Sequence, residues 1–356
     1  MIASRAERTA MVRALELAAS PDVPPGPNPR VGCVLLSPDG TMIAEGRHRG
    51  AGTPHAEADA LAQAGRTARG ATAIVTLEPC NHTGRTGPCS EALLAAGVTR
   101  VVYAQTDPNP TASGGASRLR AAGVEVLGGV LADEAATLNQ AWTFAITHGR
   151  PFVTWKFATT LDGRSAAADG TSRWVSSRAA RSDAHRLRAG CDAILVGTNT
   201  VVVDDPQLTV RDDDDRPLAH QPLRVVMGER ALPEGHRVFD GAAATVRLRT
   251  QDPAAALADL HRREIRHVFL EGGPTLAAAF LRAGLVDEVV AYVAPTLVGG
   301  GRPAVADLGI TTLADALRFT VGDVSVLPPW DAADAVNVRL TLLPPRPLDQ
   351  QVERRS

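Results

Sequence analysis

His55-Ala56-Glu57 is followed by Glu78-Pro79-Cys80 and then by Pro88-Cys89. One imidazole and two thiolates are suitable zinc ligands, and they leave the fourth tetrahedral position open for water. Glu57, two residues beyond the histidine, could take the proton that such a water gives up. H-x-E followed by P-C and a second cysteine is the zinc deaminase signature. H-x-E alone arises often by chance. A P-C pair closing a buried strand, with a second P-C opening a helix nine residues on, is far more demanding. Helix N-termini also favour the thiolate that zinc needs. The alternative is a closed site that only staples loops, with His82 or His48 as fourth ligand, but it leaves Glu57 without a task.

A second group of residues lies in the other half. Lys156 is the only lysine in the chain, every other strong base being arginine. A composition so biased against lysine suggests that chemistry requires the one that remains. No G-x-G-x-x-G opens a helix after a strand, so that dinucleotide fold is not supported. Glu271-Gly272-Gly273-Pro274-Thr275 does follow an apolar strand and lead into a helix, whose exposed N–H groups suit phosphate. Gly299-Gly300-Gly301 is a lesser candidate of the same kind.

These residues need strands and helices to position them. Helix Ser4–Ser20, strands Val31–Leu36 and Thr41–Glu45, and helix His55–Ala64 are expected first. Strand Ala71–Leu77 then delivers Glu78-Pro79-Cys80, and Pro88 opens a helix through Ala96. Strands Arg100–Ala104 and Val124–Leu127 alternate with helices Ala116–Ala122 and Asp133–Thr147, an α/β layered domain. His148-Gly149-Arg150-Pro151 reads as the boundary. A second α/β alternation follows, with strands at Phe152–Ala158, Ala193–Val196, Leu223–Met227, His267–Leu270 and Glu288–Ala294. Its helices lie near Ser177–Ala189, Pro253–Arg263 and after Pro274. Asp212–Asp215 reads as a solvated loop and Arg346–Ser356 as a loose tail. The expected domains are therefore 1–148 and 149–345, with a tail at 346–356.

At 356 residues, two domains are the natural division. A formal net charge of −2 and only 4 % aromatic residues offer no basic, stacking surface for nucleic acid. No apolar run approaches a membrane span. Glu7 and Glu16, with Met11, Leu15 and Ala18 at helical spacing, favour an ordinary first helix over a transit peptide. Four cysteines make no disulfide framework; Cys33 and Cys191 read as core residues, and the usage fits a reducing cytoplasm.

In the run Thr76-Leu77-Glu78-Pro79-Cys80-Asn81-His82-Thr83-Gly84-Arg85-Thr86-Gly87-Pro88-Cys89 the sequence resembles the bifunctional riboflavin-biosynthesis deaminase/reductases. Pro27-Asn28-Pro29-Arg30-Val31-Gly32-Cys33 and Pro54-His55-Ala56-Glu57 share the resemblance. So do Lys156 to Arg164, Ser172-Arg173-Trp174, Asp204 to Arg211 and Glu271 to Leu276. It implies a cytidine-deaminase-like α/β/α domain followed by a dihydrofolate-reductase-like α/β domain. It implies hydrolytic loss of ammonia from 2,5-diamino-6-(5-phosphoribosylamino)pyrimidin-4-one, then NADPH reduction of the ribosyl group to ribityl, giving 5-amino-6-(5-phosphoribitylamino)uracil. His55, Cys80 and Cys89 would bind Zn(2+), and Glu57 would shuttle the proton. Asn28 would contact the pyrimidine, though a turn-forming Asn before Pro explains it as well. NADPH would meet Ala158, Trp174, Thr200, Asp204, Gly273, Pro274, Thr275 and Leu276, with Gly299-Gly300-Gly301 alongside. Substrate would meet Ser172, Arg188, Leu208, Arg211 and Glu271, with Lys156 and Glu271 catalytic. The sequence departs from the family at Gly87, where proline usually repeats, and at Gly228-Glu229-Arg230, where relatives usually carry Asp-Ser. The expected partners are this small-molecule pyrimidine nucleotide and further copies of the chain in a homo-oligomer, with no nucleic acid and no membrane. Rival readings are a deaminase of cytidine, guanine or a tRNA base, and a binding module whose zinc only stabilises the fold.

Overall fold

A computed structural model describes residues 2–83, 87–329 and 334–344. Residues 84–86 of the loop motif, and the tail expected at 346–356, lie outside the described residues. The chain divides into two compact units, Met1–Arg150 and Pro151–Ser356.

In the first unit Ser4 Oγ accepts the Glu7 N–H at 3.2 Å while the Glu7 carboxylate accepts the Ser4 N–H at 2.7 Å. This capping box starts α1 (Arg5–Ala18). Strands β1 (Gly32–Leu36) and β2 (Met42–Arg47) precede α2 (Ala56–Ala64), β3 (Thr72–Leu77), α3 (Cys89–Ala96) and β4 (Arg100–Gln105). Then come α4 (Gly115–Ala121), β5 (Glu125–Leu127), α5 (Ala132–Leu138) and α6 (Gln140–His148). The sheet order is β2-β1-β3-β4-β5, with β1 antiparallel to β2 and β3, and β3, β4 and β5 parallel. Successive strand residues point to opposite faces. Val34 and Ile74 pack with Met11 and Leu17 of α1 on one side, while Cys33, Leu35 and Val75 meet Leu93 and Leu119 on the other. Layers on both faces are why these strands read as unbroken apolar runs.

The helix expected over Asp133–Thr147 is two helices, broken at Asn139. Asn139 is buried, and its Oδ1 accepts the Arg30 N–H at 2.8 Å while its Nδ2 donates to the Arg30 carbonyl at 3.0 Å. The amide thus pairs with the loop that carries Asn28 instead of continuing a helix.

Gly115 opens α4 against the Pro79–Cys80 turn. A Cβ there would stand 1.8 Å from the Pro79 carbonyl oxygen, so backbone must shift to admit it. Gly115→Ala is expected to cost about 1–3 kcal/mol by overpacking and to lower bound zinc, because the displaced turn holds Cys80. Thermal unfolding together with metal analysis checks this; an unchanged Tm and full zinc would contradict it.

The second unit contains β6 (Phe152–Thr160), β7 (Arg164–Ala166), α7 (Arg178–Ala189), β8 (Ala193–Gly197), α8 (Thr198–Asp204) and β9 (Leu223–Met227). It continues through β10 (Thr245–Leu248), α9 (Pro253–Arg262), β11 (His267–Leu270), α10 (Pro274–Arg282) and β12 (Glu288–Ala294). The last strands are β13 (Arg302–Pro303), β14 (Thr320–Leu327) and β15 (Asn337–Leu343). Eight strands lie in the order β10-β9-β8-β11-β6-β12-β15-β14, the first six parallel and β15 and β14 antiparallel. Parallel strands end on one edge, where α/β folds place their ligands. Elements β7, α8, β10, β13, β14 and β15 are additions to the sequence expectation. The α8 run Thr-Asn-Thr-Val-Val-Val-Asp is rich in β-branched residues, which disfavour helix; tertiary packing, with Val201 fully buried, overrides propensity there. Among the described residues no helix is long and apolar enough to cross a membrane.

Candidate active sites

In the first unit three side chains converge. His55 is the N-cap of α2, Cys80 follows the end of β3, and Cys89 opens α3. His55 Nδ1 lies 3.3 Å from Cys89 Sγ and 3.6 Å from Cys80 Sγ. Ligands in a tetrahedron with Zn–S near 2.3 Å and Zn–N near 2.0 Å stand about 3.6 Å apart. The donor set therefore fits zinc in type and spacing. Among the described residues, these three form the whole Cys/His/Asp/Glu cluster, which leaves a fourth position open. A hydrogen bond with Cys89 holds the Cys80 thiol well below its ordinary range, against the push of burial and with help from His55.

Glu57 stands in the first turn of α2, 4 % exposed. Burial pushes its carboxyl above the ordinary range, which suits a group that must both accept and give a proton. His48 and Asn28 complete the wall. His48 Nδ1 is 3.0 Å from the Pro54 carbonyl, so it carries the proton, and Nε2 accepts the Asn28 amide N–H at 2.9 Å. The His48 ring stands edge-on to His55, centroids 5.3 Å apart. With both nitrogens engaged, His48 is not a fourth ligand. Asn28 keeps its carbonyl oxygen and one N–H for a ligand. Sequence reasoning missed this role of His48, and it missed Asp107. Burial pushes the Asp107 carboxyl up to about 6, with Glu78 and Cys80 adding to it. The buried Glu78 carboxylate accepts N–H groups of Asp107, Gly114 and Ala116, tying that loop to the cysteine turn.

One zinc per chain is expected by elemental analysis, and a Cys80→Ser, Cys89→Ser double variant should lose it. Full occupancy in that variant would remove the assignment.

Two cavities among the described residues of the second unit bear on the expected sites. The larger, about 870 Å³, is lined by Lys156, Ala158, Ser172, Trp174, Arg188, Asp204, Leu208 and Arg211 among others. The smaller, about 740 Å³, is lined by Thr200, Asp204, Gly228, Glu229, Arg230 and Gly273 to Leu276 among others. Asp204 belongs to both. Ala158 and Trp174, expected beside Thr200, line the larger cavity because β6 lies two strands from β8. Trp174 is not core; it is 68 % exposed under the Arg181 guanidinium, 4.2 Å from the ring centroid. Gly299-Gly300-Gly301 lines neither cavity, which corrects the expectation. The Gly299 N–H goes to Asp162 at 2.7 Å, and a Cβ on Gly301 would meet the Ala166 carbonyl oxygen at 2.2 Å. The triplet serves the β7–β13 contact instead.

Glu271 directly follows β11 and is gripped by Arg188 from α7, Nε donating to Oε1 at 2.6 Å and Nη2 to Oε2. Burial pushes the Glu271 carboxyl up, but Arg188 and Lys156 outweigh it and hold it at about 2. A carboxyl held this low is ionised at neutral pH and accepts hydrogen bonds without giving a proton. Burial lowers the Lys156 ammonium, with Arg188 adding to that and Glu271 opposing. Gly272 packs closely on Leu276: a Cβ would lie 2.5 Å from Leu276 Cδ2, so that side chain would have to turn to admit it. Gly273 caps α10 and donates its N–H to Thr200 Oγ1 at 3.2 Å. Leu208 holds φ at +56°, a costly conformation for a branched residue at a cavity wall. Its loop is braced by the fully buried Arg224, which donates to the carbonyls of Gln207 and Asp240. Asp212–Asp215 is exposed yet engaged, Asp215 with Arg211 and Asp213 with Ser182.

Residues 4–105 match the model of the cytidine and deoxycytidylate deaminase zinc-binding region, and 151–327 match that of the RibD C-terminal domain. Riboflavin biosynthesis protein RibD of Mycobacterium tuberculosis is 51 % identical over 304 residues, 85 % of this chain and 89 % of that one. The Acinetobacter baumannii RibD structure superposes with a TM-score of 0.86 at 40 % identity, covering 96 % of this chain and 99 % of that one. A Thermotoga maritima diaminohydroxyphosphoribosylaminopyrimidine deaminase/5-amino-6-(5-phosphoribosylamino)uracil reductase gives 0.84 at 33 % identity with the same coverage.

Proposed function

Because the chain belongs to the RibD family, whose members are bifunctional deaminase/reductases of riboflavin biosynthesis, we propose a division of labour among its residues. The first unit, cytidine-deaminase-like, is a zinc-dependent deaminase; the second, dihydrofolate-reductase-like, is an NADPH-dependent reductase. The substrates named for the Thermotoga maritima relative are taken for both steps.

His55, Cys80 and Cys89 would hold the zinc, which would supply Lewis acidity to make water nucleophilic near neutral pH. Glu57 takes a proton from the attacking water and delivers it to the pyrimidine ring nitrogen; it then takes a second proton from the hydroxyl now on the ring carbon and passes it to the amino group, which leaves as ammonia while the C=O bond forms. Asn28, its amide fixed by His48, orients the ring. The open fourth position beside a buried Glu57 is the observation that carries this reading.

NADPH supplies the hydride. Gly273, Pro274 and Thr275 at the start of α10 would hold its phosphates, with Leu276 beside them. Thr200, Asp204, Ala158 and Trp174 would hold the rest of it. Ser172, Arg188, Leu208 and Arg211 hold the phosphoribosyl group, where planar guanidinium donors suit phosphate. Glu271, locked by Arg188, positions the opened ribose; Lys156 protonates its oxygen. The guanidinium of Arg230 and the carboxylate of Glu229 replace the smaller residues usual in relatives at the far end of the smaller cavity. The exposed β14 edge, with Val321, Val324 and Val326 each more than half exposed, supports a homo-oligomer. Four free cysteines support a cytoplasmic location.

Turnover of the diaminopyrimidine nucleotide with and without NADPH, followed by product mass, tests the whole. Ammonia loss alone should occur without NADPH, and a gain of two hydrogens should follow when it is added. Reduction in the absence of any deamination would overturn the assigned order.

A further inference from the structure

Lys156 carries the chain's only side-chain amine, and it lines the larger cavity together with Arg178, Arg181 and Arg211. It makes no ion pair or hydrogen bond with a described residue. Its Nζ rests 5.7 Å from the Tyr292 ring centroid. The carboxylate whose charge it feels most, Glu271, is already occupied by both arms of the Arg188 guanidinium. Tyr292 is in turn tied down, its hydroxyl donating to buried Asp183 at 2.7 Å while Arg339 Nη1 also donates to Asp183 at 3.1 Å. The amine thus sits on a fixed aromatic floor, in a cavity whose walls carry guanidinium groups. Burial, with Arg188 adding to it and Glu271 opposing, moves Lys156 toward the neutral, nucleophilic form.

We propose that Lys156 is also a carbonyl-binding amine. Phosphorylated aldehydes of the size of an open-chain aldose phosphate enter the cavity, set the phosphate among the arginines, and form a reversible imine with Nζ. The nitrogen attacks the carbonyl carbon, both amine hydrogens leave with the carbonyl oxygen as water, and a C=N bond replaces C=O. No electrons are gained or lost. Such sugar phosphates would occupy the reductase while leaving the deaminase in the other unit free. This inference rests on the reading of the cavity as the phosphoribosyl site.

Pyridoxal 5′-phosphate is the probe, with pyridoxal as its unphosphorylated control and borohydride to fix any imine as a secondary amine. The full-length protein should take up one label, located by peptide mass on Lys156. Half-saturation should come at least tenfold below that for pyridoxal, as expected when one charge-assisted phosphate contact is gained. Arg211→Gln should remove that advantage, and ribose 5-phosphate should protect Lys156 from labelling. Label confined to the α-amino group, or equal labelling by pyridoxal, would overturn the proposal. Because the label is mapped in the wild-type protein, the outcome does not depend on a lysine variant folding. An enzyme that reduces its substrate but gives no adduct loses the imine alone. An adduct that the reductase substrate fails to displace keeps the imine and removes the phosphoribosyl reading.

Discussion

Glu57→Gln is expected to keep zinc, the fold and the reductase step while ammonia release falls by about 10²–10⁴-fold, the usual contribution of a positioned acid/base group. Glutamine preserves the shape of a side chain that is 4 % exposed, so little repacking accompanies the change. What it removes is a carboxyl raised by burial, one able to hold a proton between water and the pyrimidine nitrogen. Neither His48 nor Asn28 can stand in. Both nitrogens of His48 are engaged, and an amide does not exchange protons at the required rate. Ammonia release and zinc content measured on the same preparation decide the matter. Near-normal release with zinc retained would deny Glu57 the shuttle role.

Lys156→Arg should lower single-turnover NADPH oxidation by at least about a hundredfold, again the scale of a lost general acid, with NADPH binding and thermal stability unchanged. Charge is retained in this variant, so an ion-pair role would survive it. A guanidinium, however, stays protonated above pH 12 and cannot yield a proton to the opened sugar. It is also too broad for a place beside Arg188 and over Tyr292. In the wild type the ammonium is pushed below 10.5 by burial. The protonated form acts, so the reductive rate should fall as pH rises through that lowered value. An Arg variant as fast as wild type, or a rate flat up to pH 10.5, would end the assignment.

The convergence of His55, Cys80 and Cys89, the proposed zinc ligands, is legible in the sequence because each is written locally: a histidine at a helix N-cap, one cysteine after an apolar strand, one at a helix start. Short-range spacing carries that information. The partners of these residues are not legible. Asn139 reaches the Asn28 loop across 109 positions, and nothing in its neighbourhood marks it as other than a helix residue. His48 acquires its role only through a contact with Asn28, and Glu271 reveals its ionised state only once Arg188 is seen beside it. Most strands of the sheets are legible because burial on both faces makes them apolar throughout. Strands β14 and β15 mix Val with Asp, Ser, Thr and Arg, the pattern of a half-exposed antiparallel pair, and do not stand out from loops. Arg224 shows the limit of composition as a guide. It is a charge within β9 with no exposed surface, made tenable by the Asp240 carboxylate, 2.8 Å from Nη1, and by carbonyls of a loop that sequence alone does not bring near.

Asp204 borders both reductase cavities, and Glu271, clamped from the larger one by Arg188, stands next to the Gly272-Gly273 turn that opens the smaller. A ligand that pulls on Arg188 would pull, through Glu271, on the Gly272-Gly273 backbone proposed to hold the cofactor. Thermodynamic linkage then makes the traffic mutual: whatever factor the nucleotide changes in the dissociation constant of NADPH, NADPH must change in that of the nucleotide. Titration calorimetry of each ligand, alone and with the other saturating, should give two equal ratios of about fivefold or more. Ratios of unity would mean that the joint between the cavities is rigid and silent. Any other value makes reductant and substrate effectors of one another, so that the cell's supply of reduced cofactor sets how tightly this enzyme holds its nucleotide.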